Sequence, residues 1–239
     1  MEGKEIDRLR EIIADSDNIV FFGGAGVSTE SGIPDFRSKD GLYNLKYDIP
    51  PEEIVSHTYF VYHTKKFYDF YRDRMVYPDA KPNAAHLYLA RLEEEGKLKA
   101  IVTQNIDGLH QAAGSKKVWE LHGSVLRNYC TRCGKFYGVD AILNSTDVPR
   151  CECGGIIKPD VVLYEESLDG DVIAGAVRAI QQADTLIIGG TSLAVYPAAS
   201  FIDFFRGRNL VVINKTATPA DRRADLAIHG KIGEVFSSL

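Results

Sequence analysis

Five short apolar runs, each ending in glycine, an amide or histidine, constrain this chain more than any other feature. Asn18–Phe22 leads into Gly23-Gly24-Ala25-Gly26, Ala100–Thr103 into Gln104-Asn105, and Val118–Leu121 into His122-Gly123. Thr185–Ile188 leads into Gly189-Gly190-Thr191-Ser192, and Leu210–Ile213 into Asn214. Runs of this length, β-rich and nearly all apolar, are what strands buried on both faces of a parallel sheet look like. Helical periodicity lies between them, in Asn83–Glu95 with Leu87, Leu89 and Leu92, and in Val172–Gln182 with Ile173, Val177 and Ile180. Strands alternating with helices predict a doubly wound α/β fold. Ligands in such sheets bind beyond the carboxyl ends of the strands, so one cleft should collect every polar tail.

Two segments break the alternation. Residues 129–159 hold all four cysteines with many turn residues, and 49–79 is aromatic and partly helical. Together they are expected to form a smaller module inserted into a main domain made of 1–48, 80–128 and 160–239. With 239 residues, 45% hydrophobic, the chain can bury a core of that size. The formal charge of −5 argues against nucleic acid as the main partner, because neutralising phosphates needs a basic surface. An acidic surface instead tolerates lysine-bearing protein segments. Met1–Asp17 is charged and helix-like, with Ile6, Leu9, Ile12 and Ile13 on one face, so no secretion signal is expected. No apolar run approaches the roughly 18–20 residues of a membrane span. A cytoplasmic monomer is the expectation, with its cysteines reduced.

Gly24-Ala25-Gly26 after the first run, with a helix-like start at Ser28, suits the approach of a pyrophosphate to backbone N–H groups. A tight turn without a ligand would look the same, and Thr29 stands where a third glycine would complete the dinucleotide fingerprint. Ser31 to Arg37 then gathers a glycine, a proline, Asp35, Phe36 and Arg37 into one loop, a functional rather than connective composition, although Asp35 and Arg37 could form a surface ion pair.

Cys130-x-x-Cys133 and Cys151-x-Cys153, separated by 17 residues and each followed by glycine, fit a tetrahedral zinc site. Four protein ligands leave no open position, which makes such a metal structural. Unrelated buried cysteines, or a redox Cys-x-x-Cys, are the other readings. His122 ends an apolar strand at the ligand edge, which makes it a plausible general base.

Taken together, these motifs resemble the sirtuin family of NAD-dependent protein deacylases. The similarity is carried by Gly24 to Ser28 with Ser31 to Arg37, Thr103 to His110, Leu121-His122-Gly123 and the paired cysteines. Gly190 to Leu193 with Tyr196-Pro197, and Val211 to Asn214, complete it in order along nearly the whole chain. The resemblance implies a Rossmann-like domain and a small zinc module, with NAD and an acyl-lysine peptide meeting in the cleft between them. It implies that Gly24, Ala25, Gly26, Thr29, Asp35, Phe36 and Arg37 line the NAD site. Gln104 and Asn105 would contact the nicotinamide ribose, and Ile106 and Asp107 the nicotinamide. Gly190, Thr191, Ser192 and Asn214 would meet the adenosine half or its phosphates, and Lys231-Ile232 the adenine end. His122, with Asn105, would be catalytic, drawing a proton from a ribose hydroxyl as nicotinamide leaves and the acyl group passes to ADP-ribose. Val162-Leu163-Tyr164 and Ala194-Val195-Tyr196 would flank the peptide as strand partners. Phe36 would shield the intermediate, and Gly32–Tyr43 would act as a lid.

Two departures from the family pattern stand out. Cys151-x-Cys153 is one residue shorter than the usual pair, so zinc retained in a tighter turn is expected. Desuccinylase-type members carry a Tyr-x-x-Arg pair, whereas Tyr68-Asp69-Phe70-Tyr71-Arg72 has tyrosine where that arginine would fall. With Phe67, Phe70 and Tyr71 beside it, acetyl or a longer uncharged acyl group is favoured over succinyl. Three rivals remain at this stage: a hydride-transferring dehydrogenase, a zinc-ribbon binding module with a local basic patch, and a mono-ADP-ribosyltransferase. Asn105, Asp107 and His122 speak against the first and net acidity against the second.

Overall fold

The computed structural model describes residues 3–35, 41 and 49–239. Phe36, Arg37 and most of the expected lid lie outside them. The chain opens with α1 (Gly3–Ala14) and β1 (Ile19–Gly23), then continues through α2 (Pro51–Ile54), α3 (His57–Tyr62), α4 (Thr64–Arg74) and α5 (Ala84–Glu94). β2 (Leu98–Thr103), α6 (Leu109–Ala112), β3 (Val118–Glu120), β4 (Gly123–Cys130), β5 (Phe136–Tyr137), α7 (Asp140–Leu143) and β6 (Ile157–Val161) follow. The last part comprises α8 (Gly170–Gln182), β7 (Thr185–Gly189), β8 (Asn209–Asn214), β9 (Leu226–His229) and α9 (Ile232–Ser237).

Six strands form one sheet in the order β3-β2-β1-β7-β8-β9, and every pair in it is parallel. Each run expected to be a strand is one, within a residue or two at the ends. Inward alternation explains why the central runs look wholly apolar: Ile19 and Phe21 of β1 enter one core with α1, α5 and α9, while Val20 and Phe22 enter the other with α8. Ile6, Leu9, Ile12 and Ile13 of α1 are buried as their helical spacing required. β9 escaped the sequence reading because it is a four-residue edge strand with only Ile228 buried. Leu87 is a correction. It is 55% exposed, because the buried stripe of α5 runs through Ala85, His86, Leu89 and Leu92 and leaves Leu87 on the solvent side.

No α-helix begins at Ser28. Two single 3₁₀ turns, Ala25–Val27 and Thr29–Ser31, take its place and end at Gly32 in a left-handed conformation. The Ser28 side chain makes no cap bond there because it is engaged across the cleft.

Residues 54–76, the cysteine segment and Val125, Val161 and Leu163 share a third apolar core built around Phe60, Phe67, Tyr68 and Tyr71. A three-stranded antiparallel sheet, β5-β4-β6, belongs to it. β4 and β6 run across the expected boundaries at 128/129 and 159/160, so these two strands tie the smaller core to the edge of the large sheet. Gly123, the first residue of β4, has φ +73, and a Cβ there would stand 1.9 Å from the Asp160 carbonyl oxygen. Gly123→Ala should therefore cost about 3 kcal/mol or more. The measurement is the thermal midpoint, expected to fall by roughly 6–12 °C for a chain of this size; an unchanged midpoint would contradict the close approach.

Candidate functional site

The sheet order reverses between β1 and β7, and the two glycine-rich tails meet at that switch point. The Gly24 amide donates to the Gly189 carbonyl at 3.3 Å, and the Gly26 amide to the Gly190 carbonyl at 2.8 Å. A Cβ on Gly26 would lie 2.8 Å from both Cα and O of Gly190, so neither loop tolerates a side chain in this contact. The Gln104 amide donates to Gly23 O at 2.9 Å and its side chain to Thr191 Oγ1 at 3.1 Å, drawing the end of β2 into the same seam.

One cleft of about 1250 Å³ runs along these strand ends. That volume exceeds the ~300–1,000 Å³ of a site for one drug-sized molecule, so there is room for two ligands side by side. Gly24, Ala25, Gly26, Thr29 and Asp35 line it from the first loop, and Gln104, Asn105, Ile106 and Asp107 from the second. His122 lines it from the end of β3, with Gly190, Thr191 and Ser192 after β7 and Asn214 after β8. Lys231 and Ile232 close one end, while Val162, Leu163, Tyr164, Val195 and Tyr196 flank the other. Ala194, expected among them, is exposed and does not line the cleft. Phe36 and Arg37 lie outside the described residues.

The polar groups are held in place before any ligand arrives. Ser28, 1% exposed, takes a hydrogen bond from Asn105 Nδ2 at 3.1 Å and gives one to Asp107 Oδ2 at 2.6 Å. Asp107 Oδ1 accepts from the Leu109 amide at 2.9 Å, and Thr103 Oγ1 accepts from the Asn105 amide at 3.0 Å. Ser28 and Thr103 had no role in the sequence reading. Their motif positions were visible, but their partners lie across a loop and only the fold reveals them. The Glu30 carboxylate likewise accepts from the Gly233 amide at 2.6 Å, tying the first loop to α9, and Lys231 is paired with Glu234 at 2.8 Å.

His122 Nδ1 lies 2.9 Å from the Gln104 carbonyl oxygen. A carbonyl only accepts, so Nδ1 carries the proton and Nε2 keeps its lone pair. Burial pushes the His122 pKa below its ordinary value, opposed by that same carbonyl contact. The backbone around it is fixed too: Leu121 N donates to Thr103 O and Val162 N to His122 O, at 2.9 and 3.0 Å.

On the flank, the amides of Val162, Leu163 and Tyr164 all donate within the chain, to His122 O, Glu166 Oε2 and Val55 O. A peptide laid there would meet carbonyls and side chains rather than unused donors.

The four cysteine sulfurs of Cys130, Cys133, Cys151 and Cys153 lie within 4.8 Å of one another. Cys130 and Cys153 are 3.4 Å apart, Cys133 and Cys151 3.6 Å. Four sulfurs about 2.3 Å from a tetrahedral zinc stand about 3.8 Å apart, so this set could hold one with little adjustment. Gly134 and Gly154, the glycines that follow each pair, have left-handed φ of +72 and +85, and the short Cys151-x-Cys153 spacing does not stop the sulfurs converging.

Comparison with known proteins gives the following. The Sir2 family model matches residues 24–197. An NAD-dependent protein deacetylase of Clostridium perfringens is 63% identical over 239 residues, covering 98% of each chain. A solved Sir2 complex with a p53 peptide and NAD⁺ superposes with a TM-score of 0.86 at 41% identity, over 97% of this chain and 95% of that one. A Sir2 histidine-to-alanine variant with a deacetylated p53 peptide and 3′-O-acetyl ADP ribose reaches 0.90 at 40% identity, over 98% and 96%.

The protonation of His122 can be tested directly. A histidine NMR titration should give a midpoint below 6.5, leaving the imidazole neutral at pH 7. A midpoint at or above 6.5 would mean that burial does not control it.

Proposed function

This chain belongs to the Sir2 family, and from that premise we propose that it is an NAD-dependent protein-lysine deacylase. It removes acetyl or a related uncharged acyl group from lysine in proteins or peptides, releases nicotinamide and passes the acyl group to ADP-ribose. The observation that carries the reading is His122: a neutral imidazole with its Nδ1 proton fixed on the Gln104 carbonyl, lining the cleft where the glycine loops converge.

The residues present suit NAD. Two glycine loops bring backbone to the strand switch point, where a pyrophosphate binds in such sheets. Amides and hydroxyls from Gln104, Asn105, Thr191, Ser192 and Asn214 offer neutral donors along the cleft, as two riboses require. Bound there, NAD⁺ supplies a ribose carbon that loses nicotinamide and accepts the acyl oxygen of lysine. The chain's own part is positional and acid–base. Ser28 locks Asn105 and Asp107 against each other, so these groups pay little reorganisation when ligand arrives. Ile106 and Asp107 border the nicotinamide end. His122 Nε2 then takes the proton of a ribose hydroxyl, which a neutral, partly desolvated imidazole can do near pH 7. Val162–Tyr164 and Val195–Tyr196 guide the peptide, with the exposed Tyr164 and Tyr196 rings at its margin.

Cys130, Cys133, Cys151 and Cys153 would hold zinc, which would tie the smaller core together and, saturated by four thiolates, would take no part in the reaction. No described helix is long and apolar enough to cross a membrane. Four cysteines kept reduced as zinc ligands would suit the cytoplasm.

Incubation with NAD⁺ and an acetyl-lysine peptide should release nicotinamide and O-acetyl-ADP-ribose, read by mass spectrometry. His122→Ala should lower turnover by about 100-fold or more while NAD⁺ binding persists; normal turnover in that variant would remove the base assignment. For the metal, elemental analysis should find one zinc per chain. Cys151→Ser should lose the zinc and aggregate or melt early. A soluble, active Cys151→Ser protein without zinc would refute the structural role.

A further inference from the structure

The first glycine loop is built from two single 3₁₀ turns, so it lacks the ladder of bonds that would stiffen an α-helix in its place. Ala25, Gly26, Ser28, Thr29 and Glu30 line the cleft, whereas Val27 and Ser31 do not. Those two residues meet one side chain instead. The Asn83 amide Nδ2 donates to the Val27 carbonyl at 2.7 Å and to Ser31 Oγ at 3.0 Å. The loop is gripped from outside the cleft.

Asn83 also caps α5. Its Oδ1 accepts from the Ala85 amide at 2.9 Å, and its own backbone amide donates to His86 Nδ1 at 3.2 Å. Burial holds the His86 imidazole below its ordinary pKa, so that nitrogen keeps the lone pair the bond needs. The helix is a firm anchor. Ala85, Leu89 and Leu92 are buried in the core shared with β1 and α9, and Tyr88 stacks on Phe236 with centroids 4.9 Å apart.

Capping alone does not account for asparagine here, because serine and aspartate cap a helix about as well. An amide adds two donors beside the capping oxygen. Serine has one hydroxyl on a shorter stem, and a carboxylate would face the Val27 carbonyl with no proton to give. In Asn83 the oxygen serves the helix and both donors serve the loop. Other contacts hold the rest of that loop: Ser28 to Asn105 and Asp107, and Glu30 to the Gly233 amide. Losing the Asn83 contacts would therefore loosen the loop and leave the groups around the reacting ribose in place.

We propose that Asn83 is a positioning residue for NAD⁺: through Val27 and Ser31 it holds the first glycine loop in the shape that receives the dinucleotide, without touching the dinucleotide itself. The proposal rests on the deacylase reading and adds to it a residue outside the cleft.

The test is Asn83→Ser, which keeps a capping oxygen for α5 and removes both donors to the loop. Calorimetry gives Kd for NAD⁺, and steady-state kinetics with an acetyl-lysine peptide give kcat and the KM of each substrate. Kd and KM for NAD⁺ should rise about tenfold, the worth of one to two hydrogen bonds, with kcat and the peptide KM changed less than about twofold. A cap role alone would lower the thermal midpoint and leave Kd for NAD⁺ where it was; that result, or a loss of kcat at unchanged NAD⁺ affinity, overturns the proposal. Ser31→Ala removes one of the two contacts from the loop side and leaves the cap of α5 whole. It should weaken NAD⁺ binding about threefold, and its effect should be less than additive with that of Asn83→Ser. Should Asn83→Ser fail to fold, Ser31→Ala decides, and an unchanged Kd there overturns the proposal. A wild type that binds NAD⁺ but turns over no acyl-lysine peptide overturns the deacylase reading and leaves the role of Asn83 to the binding arm. A wild type that binds no NAD⁺ overturns both.

Discussion

The backbone contact of Gly24 and Gly26 with Gly189 and Gly190 is the constraint on which the rest of the site depends. Parallel strands on either side of a switch point diverge in connection, and their tails can touch only if nothing protrudes between them. Here the amides of one loop bond the carbonyls at the end of the other, closing the floor of the cleft with backbone alone. Gln104 extends the seam to β2 through Gly23 and Thr191, so three strand ends are joined by hydrogen bonds. Preorganisation of this kind puts the cost of arranging polar groups into folding instead of ligand binding.

The working groups are held by neutral hydrogen bonds in a partly desolvated cleft. Ser28 joins Asn105 to Asp107, and Gln104 fixes the tautomer of His122 through its main-chain carbonyl. The consequence is electrostatic. Among the described residues no carboxylate is hydrogen-bonded to the imidazole Nδ1, so nothing there raises its proton affinity as strongly as an ion pair would, and desolvation wins. A neutral imidazole of this sort can accept a proton without first losing one to bulk water.

The smaller core does two jobs with one set of residues. Its aromatic rings, Phe60, Phe67, Tyr68 and Tyr71, pack edge-on or stacked into a wall that the cysteine segment backs through β4 and β6. Because β4 begins at Gly123, immediately after His122, the position of the imidazole and the position of that wall are coupled through a single turn. Removing the support of the cysteines would therefore disturb the cleft beside His122 without touching any residue in it.

Much of this was legible from residue order alone. Period-two and period-3.6 patterns are local, so five of the six parallel strands, α1, α5 and α8, and the polar edge they share could be read directly, as could four cysteines at ligand spacing. Leu87 and β9 were misread or missed where burial, not periodicity, decides: one leucine faces solvent, and one edge strand buries a single residue. The helix expected at Ser28 gave way to 3₁₀ turns because the serine bonds residues some 77 and 79 positions away instead of its own helix end. The sequence by itself thus determined the layered sheet and which residues stand at its carboxyl edge, since both follow from short-range alternation of apolar and polar groups. Only the tertiary structure decided how those residues are joined across the edge and that the hydroxyl of Tyr71 lies buried without a hydrogen-bond partner among the described residues, because such contacts depend on how distant loops pack, which no local pattern encodes.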